Sequence, residues 1–573
     1  MSEKDKTVDV PPPLQHLPTA KQKKYDRQLR LWGATGQMAL EESHVLLINN
    51  GPGVTGVETL KNLVLPGLGD FTILDTAIVS EADLGVNFFL EDASLGKFRA
   101  EETVRLLMEL NPEVRGHALM EPIETVCMEQ DALAKYNLII TAAPIDPAIL
   151  ARIHTQAQAL NIPAFYLHSL AYFSSFSVQL PPAFPIVETH PDPTSTTDLR
   201  LLKPWPELSR FAKEKTAGFE EGTMSAHDKA HIPWLCLLLH YLEKWKQDHD
   251  GKVPEAFKEK TAFRETVRAG DYNEENFDEA CAAVLKSLNP PTPPSDVRAV
   301  LTAPETQTLQ HDSSDFWIIA KAINVFYAKY GQLPLPGAVP DMKAVSADYI
   351  TLQNVYKTKA RQDSAEVLAT VRELEKPLGR TGPAVSEKEV ENFCKGAAHI
   401  HLVRGRPQHT ARAAGEEIRF GDRAQALANE LANEESLVGL HLAFLAWDEY
   451  IATHHSSADK AGGQALHITG TSESDLEADT EKLTGIAHHL LDTLITEAGT
   501  FLEDPDYTAV KTRIANFCTE LCRAGGGELH NIASLTGGLL AQEVIKVLVR
   551  QYVPVDNTCL FDGIASRTQV LRL

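Results

Sequence analysis

At 573 residues the chain is too long for one hydrophobic core, so two or three domains are expected. Its 43% hydrophobic share supports ordinary globular packing, while a formal charge of −24 argues against nucleic acid or an anionic membrane as the main partner, since phosphate binding wants a basic face. No apolar run of roughly 18 residues occurs, and Met1 to Lys24 is charged and carries Pro11-Pro12-Pro13. Neither a membrane span nor a signal peptide is therefore expected. The expectation is a cytoplasmic or nuclear chain with residues 1–20 mostly disordered.

Lys24-Tyr25-Asp26-Arg27-Gln28-Leu29-Arg30-Leu31-Trp32-Gly33 comes first, ahead of the apolar run His44 to Asn49. That run leads into Gly51-Pro52-Gly53-Val54-Thr55-Gly56, a helical stretch over Val57 to Leu65, and a second apolar run, Phe71 to Leu74, closed by Asp75. Strand, Gly-x-Gly-x-x-Gly, helix and strand ending in an acid read as the first βαβ unit of a nucleotide-binding sheet. The glycines let the backbone approach a phosphate, and Asp75 stands where a ribose hydroxyl would be held. Taken alone, the pattern fits an NAD enzyme, or a turn whose glycines only pack helix on strand.

Strand and helix alternate to about Val178, ending in Ile162 to Leu167 and Phe176 to Leu180. Pro181-Pro182, Pro185 and Pro191-Asp192-Pro193 mark a crossing, and a largely helical texture follows. Pro233 can open a helix whose apolar stripe is Trp234, Leu235, Leu238, Tyr241, Leu242 and Trp245. After the linker Asn289 to Ser295, Phe316, Ile319, Ile323, Phe326, Tyr327 and Tyr330 form a second stripe closed by Gly331. Ser386 and Glu389 suit a capping box, with Val385 and Val390 as its hydrophobic staple. The aromatic stripes are read as core. Beyond a polar loop, Ser456 to Gln464, and a helix through Leu490, the α/β texture returns with the helix His530 to Lys546, where Gly537 and Gly538 allow close packing, and two strands.

Seven cysteines are too scattered for a disulfide framework, and none stands in Cys-x-x-Cys. Cys518-Thr519 lies in a helical pattern late in the chain and reads as a buried thiol. Cys518 and Cys522 are one turn apart, but no second pair of Cys or His at ligand spacing accompanies them. No metal site is expected.

Tyr25-Asp26-Arg27-Gln28, the glycine turn, Lys61 to Gly69 and Gly96-Lys97-Phe98-Arg99-Ala100 together resemble the adenylation domain of the enzymes that activate ubiquitin and its relatives. The resemblance covers both flanks of the chain, with Trp234 to Trp245 and Asp315 to Tyr356 supporting it between them. It implies an α/β, Rossmann-like adenylation fold of ThiF/MoeB type, interrupted by a large mainly helical insertion. The implied domains are 21–180 for the first part of the adenylation domain, 181–500 for the insertion and 501–573 for the C-terminal part. In that family the arginine of Tyr-x-Arg-Gln reaches across a dimer interface into the partner's ATP site. That role falls on Arg27, for which a surface salt bridge is the plainer alternative.

Set against the family's ATP residues, this chain departs at several positions. The phosphate-gripping arginine falls on Val86-Asn87-Phe88, with no cation; Pro144 stands for the magnesium-binding aspartate, with Asp146 two positions late; the lysine of Gly-x-x-Lys-Ala becomes Arg99. Adenylation needs cations and Mg²⁺ around the phosphates. Gly51, Gly53, Gly56, Asp75 and Arg99 are thus read as a vestigial nucleotide site without productive chemistry. The thioester cysteine and the paired zinc-binding cysteines of catalytic members are also missing. The resemblance then implies half of a heterodimer. A catalytic partner subunit holds ATP and Mg²⁺, the substrate is the ubiquitin-like modifier of cullins, and a conjugating enzyme meets the complex. The corresponding half for the sumoylation modifier is the nearest rival, and an NAD-binding oxidoreductase the alternative of another class.

Overall fold

The computed structural model describes residues 18–129, 131–191, 198–219, 222–270, 274–290, 292–380, 384–407, 417–454, 469–500 and 503–573. The disorder expected for 1–20 falls almost wholly outside them, as does the loop Ser456 to Gln464; the linker's Pro291 is outside as well. The chain divides into two compact units, residues 1–184 with 403–573, and residues 185–402.

The first unit is built on an eight-stranded sheet. Its strands come from β1 (His44–Asn49), β2 (Asp70–Leu74), β3 (Arg115–Leu119), β4 (Leu138–Ala142), β5 (Ala164–Leu170) and β6 (Phe173–Gln179). β7 (Phe184–Val187) and β8 (Ile400–Val403) form a separate two-stranded sheet, and β9 (Thr558–Asp562) and β10 (Arg567–Leu571) complete the large one. The spatial order is β10-β9-β6-β5-β4-β1-β2-β3. Pairs from β3 to β5 are parallel, and those from β5 through β6 and β9 to β10 are antiparallel. β1 therefore lies between β2 and β4, the arrangement that opens a crevice at its carboxyl end. Val45 to Asn49 are buried without interruption, as central parallel strands covered on both faces must be.

The helices that frame this crevice are α1 (Asp26–Glu41), α2 (Val54–Val64), α3 (Arg99–Leu110) and α4 (Pro147–Ala159). Gly33, at φ 66°, interrupts α1, a conformation that favours glycine. α5 (Val438–His454), α6 (Glu473–Ala498), α7 (Asp504–Ala524) and α8 (His530–Val549) follow. α8 packs along α2 and α1. A Cβ on Gly537 would stand 2.7 Å from Glu58 Cβ, whereas one on Gly538 meets nothing within 4 Å, so only the first of these glycines is required by packing. By length and composition α8 could cross a membrane, but 61% of its most apolar window is buried in the fold, as in a core helix.

The helical span read as 181–500 is not one body. The second unit ends at Leu402, and α5 and α6 belong to the first, as does α7 of the expected C-terminal part. Leu440, Phe444, Leu491, Ile514 and Leu521 share one core with Leu170, Phe173, Leu560 and Leu571 of the sheet. Helical periodicity shows that a face is buried, not which element buries it.

In the second unit the helix Trp234–Asp248 buries all of its predicted stripe, with Pro233 as N-cap rather than first residue. Asp315–Tyr330 ends at Gly331 with φ 66°. Ser386 Oγ accepts from the Glu389 amide at 3.1 Å to start Glu387–Lys395, with Val385 and Val390 fully buried.

Candidate functional site

The glycine turn lies between β1 and α2, at the crevice. Gly53 has φ 71° and caps α2; a side chain there would strike Asn49 Nδ2 at 1.8 Å. On Gly51 a Cβ would stand 2.6 Å from Pro144 Cδ, and on Gly56 it would stand 2.7 Å from Leu47 Cδ1. Pro144 reaches Gly51 because β4 pairs with β1, Ala142 opposite Asn49. The space these glycines leave is thus taken up by the chain's own atoms, with Pro144, where the resemblance would put a metal-binding aspartate, packed on the turn. Asp146 accepts from the amides of Ala148 and Ile149 and caps α4.

Asp75 follows β2 and is buried. Its Oδ1 accepts from the Ala77 amide at 2.9 Å, and its Oδ2 from Asn49 Nδ2 at 2.9 Å and Arg99 Nε at 2.7 Å. Arg99 also donates to Asp83 Oδ1 at 2.8 Å and to the Gly51 carbonyl at 2.6 Å. Burial works against its charge, but Asp75 and Asp83 outweigh it and raise the guanidinium above its ordinary range. The predicted ribose acceptor and the predicted phosphate cation neutralise each other. Asn87 is buried and Phe88 is 68% exposed, its ring stacked on His530 at 3.7 Å.

Tyr25 is buried, held by Asn111 Nδ2 at 3.0 Å and donating to Glu113 Oε2 at 3.1 Å. This anchor sets the first turn of α1, from which Arg27 projects exposed; among the described residues it forms no ion pair. Arg30, one turn on, pairs with Asp26 at 3.0 Å. Among the described residues Arg27 forms no hydrogen bond or ion pair with the glycine turn.

Two participants were not legible from the motif. Asn49 closes β1 and donates to Asp75, its side chain filling the space where a Cβ on Gly53 would stand. Glu528 arrives from the segment Gly525-Gly526-Gly527 between α7 and α8. Its carboxylate accepts from the Gly53 amide at 2.9 Å, the Thr55 amide at 2.8 Å and Thr55 Oγ at 2.6 Å. Glu528 and Thr55 stand 473 positions apart, so no local spacing announces the contact; the glycine run before an acid is the only signal in the sequence.

All seven cysteines are buried. Burial pushes the Cys518, Cys236 and Cys394 thiols up to about 12, and Cys127, Cys522 and Cys559 up to about 11. Such thiols carry almost no thiolate at neutral pH, the form a nucleophile needs.

The ThiF family model matches residues 25–573. A NEDD8-activating enzyme E1 regulatory subunit from Xenopus laevis is 34% identical over 565 residues, covering 96% of this chain and 99% of its own. Its Drosophila melanogaster counterpart is 34% identical over 558 residues, covering 96% and 98%. The regulatory subunit AXR1 of Arabidopsis thaliana is 30% identical over 559, covering 96% of both. The chain belongs to the ThiF family and, within it, to the family of NEDD8-activating enzyme E1 regulatory subunits.

Proposed function

We propose that this chain is the non-catalytic subunit of a heterodimer that activates NEDD8, the ubiquitin-like modifier of cullins, in the cytoplasm or nucleus. In this reading the partner subunit holds ATP, Mg²⁺ and the modifier's C-terminal glycine. The glycine carboxylate attacks the α-phosphate, pyrophosphate leaves, and a cysteine of the partner displaces AMP to give the thioester. A conjugating enzyme then collects the modifier from the complex. This chain contributes Arg27 in trans, where a preorganised guanidinium stabilises charge that develops on the phosphates, and holds its partner in shape.

The observation that carries this reading is the pairing of Arg99 with Asp75, which turns the chain's own ribose acid and phosphate cation inward. The burial of every thiol supports it from the second chemical step. Exposed apolar side chains on two helices that pack together, Leu31 and Met38 on α1 and Leu535 and Leu539 on α8, suit a face that a partner covers. The test is ATP–pyrophosphate exchange. The purified chain alone is expected to give no modifier-dependent exchange, and addition of the catalytic subunit to restore it; robust exchange by the lone chain would overturn the reading.

A further inference from the structure

The side-chain amide of Asn111, a residue that no motif singled out, is used to capacity. Its Nδ2 donates to Tyr25 Oη at 3.0 Å and to the Val64 carbonyl at 2.9 Å. Its Oδ1 accepts from Lys24 Nζ at 2.6 Å and from the Glu113 amide at 3.4 Å. Two N–H donors and two lone pairs are all that an asparagine side chain offers. Asn111 is 1% exposed and is the C-cap of α3, so the end of that helix, the last residue of α2 and the residues that precede α1 meet at one buried group.

Tyr25 is the N-cap of α1, yet its side chain makes no capping hydrogen bond to that helix. A helix start without such a cap leaves its first amides unheld and tends to fray. Here the phenol holds the start by turning inward. It is 2% exposed, accepts from Asn111, donates to Glu113 Oε2 at 3.1 Å, and lies against Gly67, where a Cβ would stand 2.9 Å from Tyr25 Cζ. Lys24 Nζ completes the ring of contacts with Glu113 Oε2 at 3.2 Å. The backbone is thus fixed two residues before Arg27, whose side chain is exposed. A guanidinium on a flexible stem stabilises developing charge only as well as it is held in place beforehand.

We infer, on the reading that Arg27 acts at the partner's ATP site, that Asn111 is a positioning residue for it. By holding Tyr25, Asn111 fixes the turn that presents the guanidinium, and so sets the rate of adenylate formation without touching ATP or the modifier. Positioning differs from plain stabilisation in one respect. A lost hydrogen bond that only weakens the fold acts whether or not Arg27 is present, whereas one that works through Arg27 has nothing to work through once that side chain is gone.

The test is a double-mutant cycle in the reconstituted heterodimer, read by single-turnover adenylate formation at saturating ATP, with dimer affinity and the melting temperature of the chain measured beside it. Asn111→Ala, which removes the amide, and Tyr25→Phe, which keeps the ring on Gly67 and loses only the hydroxyl, are each combined with Arg27→Ala. Tyr25→Phe should slow adenylate formation by roughly three- to tenfold, the scale of one hydrogen bond, and Asn111→Ala by more. Dimer affinity should stay near native, and more ATP should not restore the rate. In the Arg27→Ala background both substitutions should still lower the melting temperature but leave the rate where Arg27→Ala alone puts it. Tyr25→Phe carries the test if Asn111→Ala does not fold. Losses that multiply through the cycle, native rates in the folded single variants, or a loss accounted for by weaker dimerisation would each overturn the inference and leave the role of Arg27 standing. A native rate for Arg27→Ala itself would remove that role, and the inference with it.

Discussion

Arg99 and Asp75 form a buried ion pair, Nε to Oδ2 at 2.7 Å, in which the guanidinium also spans Asp83 and the Gly51 carbonyl. One cation thus ties β2, the helix Glu81–Val86 and the glycine turn together. Removing it leaves two buried carboxylates uncompensated, which typically costs about 3–5 kcal/mol. Arg99→Ala should lower the denaturation midpoint of the chain on that scale. Arg99→Lys should recover only part, because a single ammonium cannot reproduce a fork directed at separate acceptors. A small loss in the alanine variant, read by chemical denaturation, would show that the pair is replaceable by water.

The first βαβ unit was legible because glycine spacing, apolar period and the terminal acid all report on a few neighbouring turns, and β1, α2 and β2 fall where those signals put them. What the motif could not convey is occupancy. Asp75 satisfies the pattern of a ribose acid, yet its partners are Asn49 and Arg99. Glu528 reaches the turn from a different part of the sequence. The capping box at Ser386 was half legible: the Ser386 hydroxyl takes the Glu389 amide, but the Glu389 carboxyl interacts with Asp315. Tertiary contacts decided each of these.

Gly537 and Gly538 are adjacent on α8 and should respond oppositely to alanine. A methyl group at Gly537 enters the α2 contact beside Glu58, and overpacking of this kind costs about 1–3 kcal/mol. At Gly538 the added methyl meets nothing, and alanine gains about 1 kcal/mol of helix propensity. Thermal melts of Gly537→Ala and Gly538→Ala should move down and up respectively; movement in the same direction would mean that α8 does not sit on α2 as closely as described.

Glu389 gives the second unit a pH dependence. Burial and the neighbouring Asp315 raise its carboxyl to about 7 from an ordinary 4.5, with Arg380 opposing. A carboxyl raised on folding binds its proton more tightly in the folded state. Its stabilising contribution is complete below about 4.5 and is lost as pH rises through about 7. Glu389→Gln should therefore flatten the fall in melting temperature between about pH 5 and about pH 8. If the slope is unchanged in the variant, Asp315 and Glu389 do not share a proton in the folded chain.

Arg27 separates a subunit that touches the chemistry from one that only supports its partner. Tyr25 fixes the start of α1 through Asn111 and Glu113, so Arg27 projects from an anchored turn; it is exposed, while Arg30 is engaged by Asp26. If Arg27 reaches the partner's ATP phosphates, Arg27→Ala should leave heterodimer formation near normal while lowering adenylate formation by about 10²-fold, the scale for one preorganised charge-stabilising group. Arg27→Lys should restore only part, since a point charge lacks the planar fork. Arg30→Ala, which removes a solvent-exposed pair, should do much less. The comparison is made by single-turnover adenylate formation beside a measurement of dimer affinity. Equal small effects at both arginines, or dissociation as the whole effect at Arg27, would place this residue in the interface and leave catalysis to the partner's own groups.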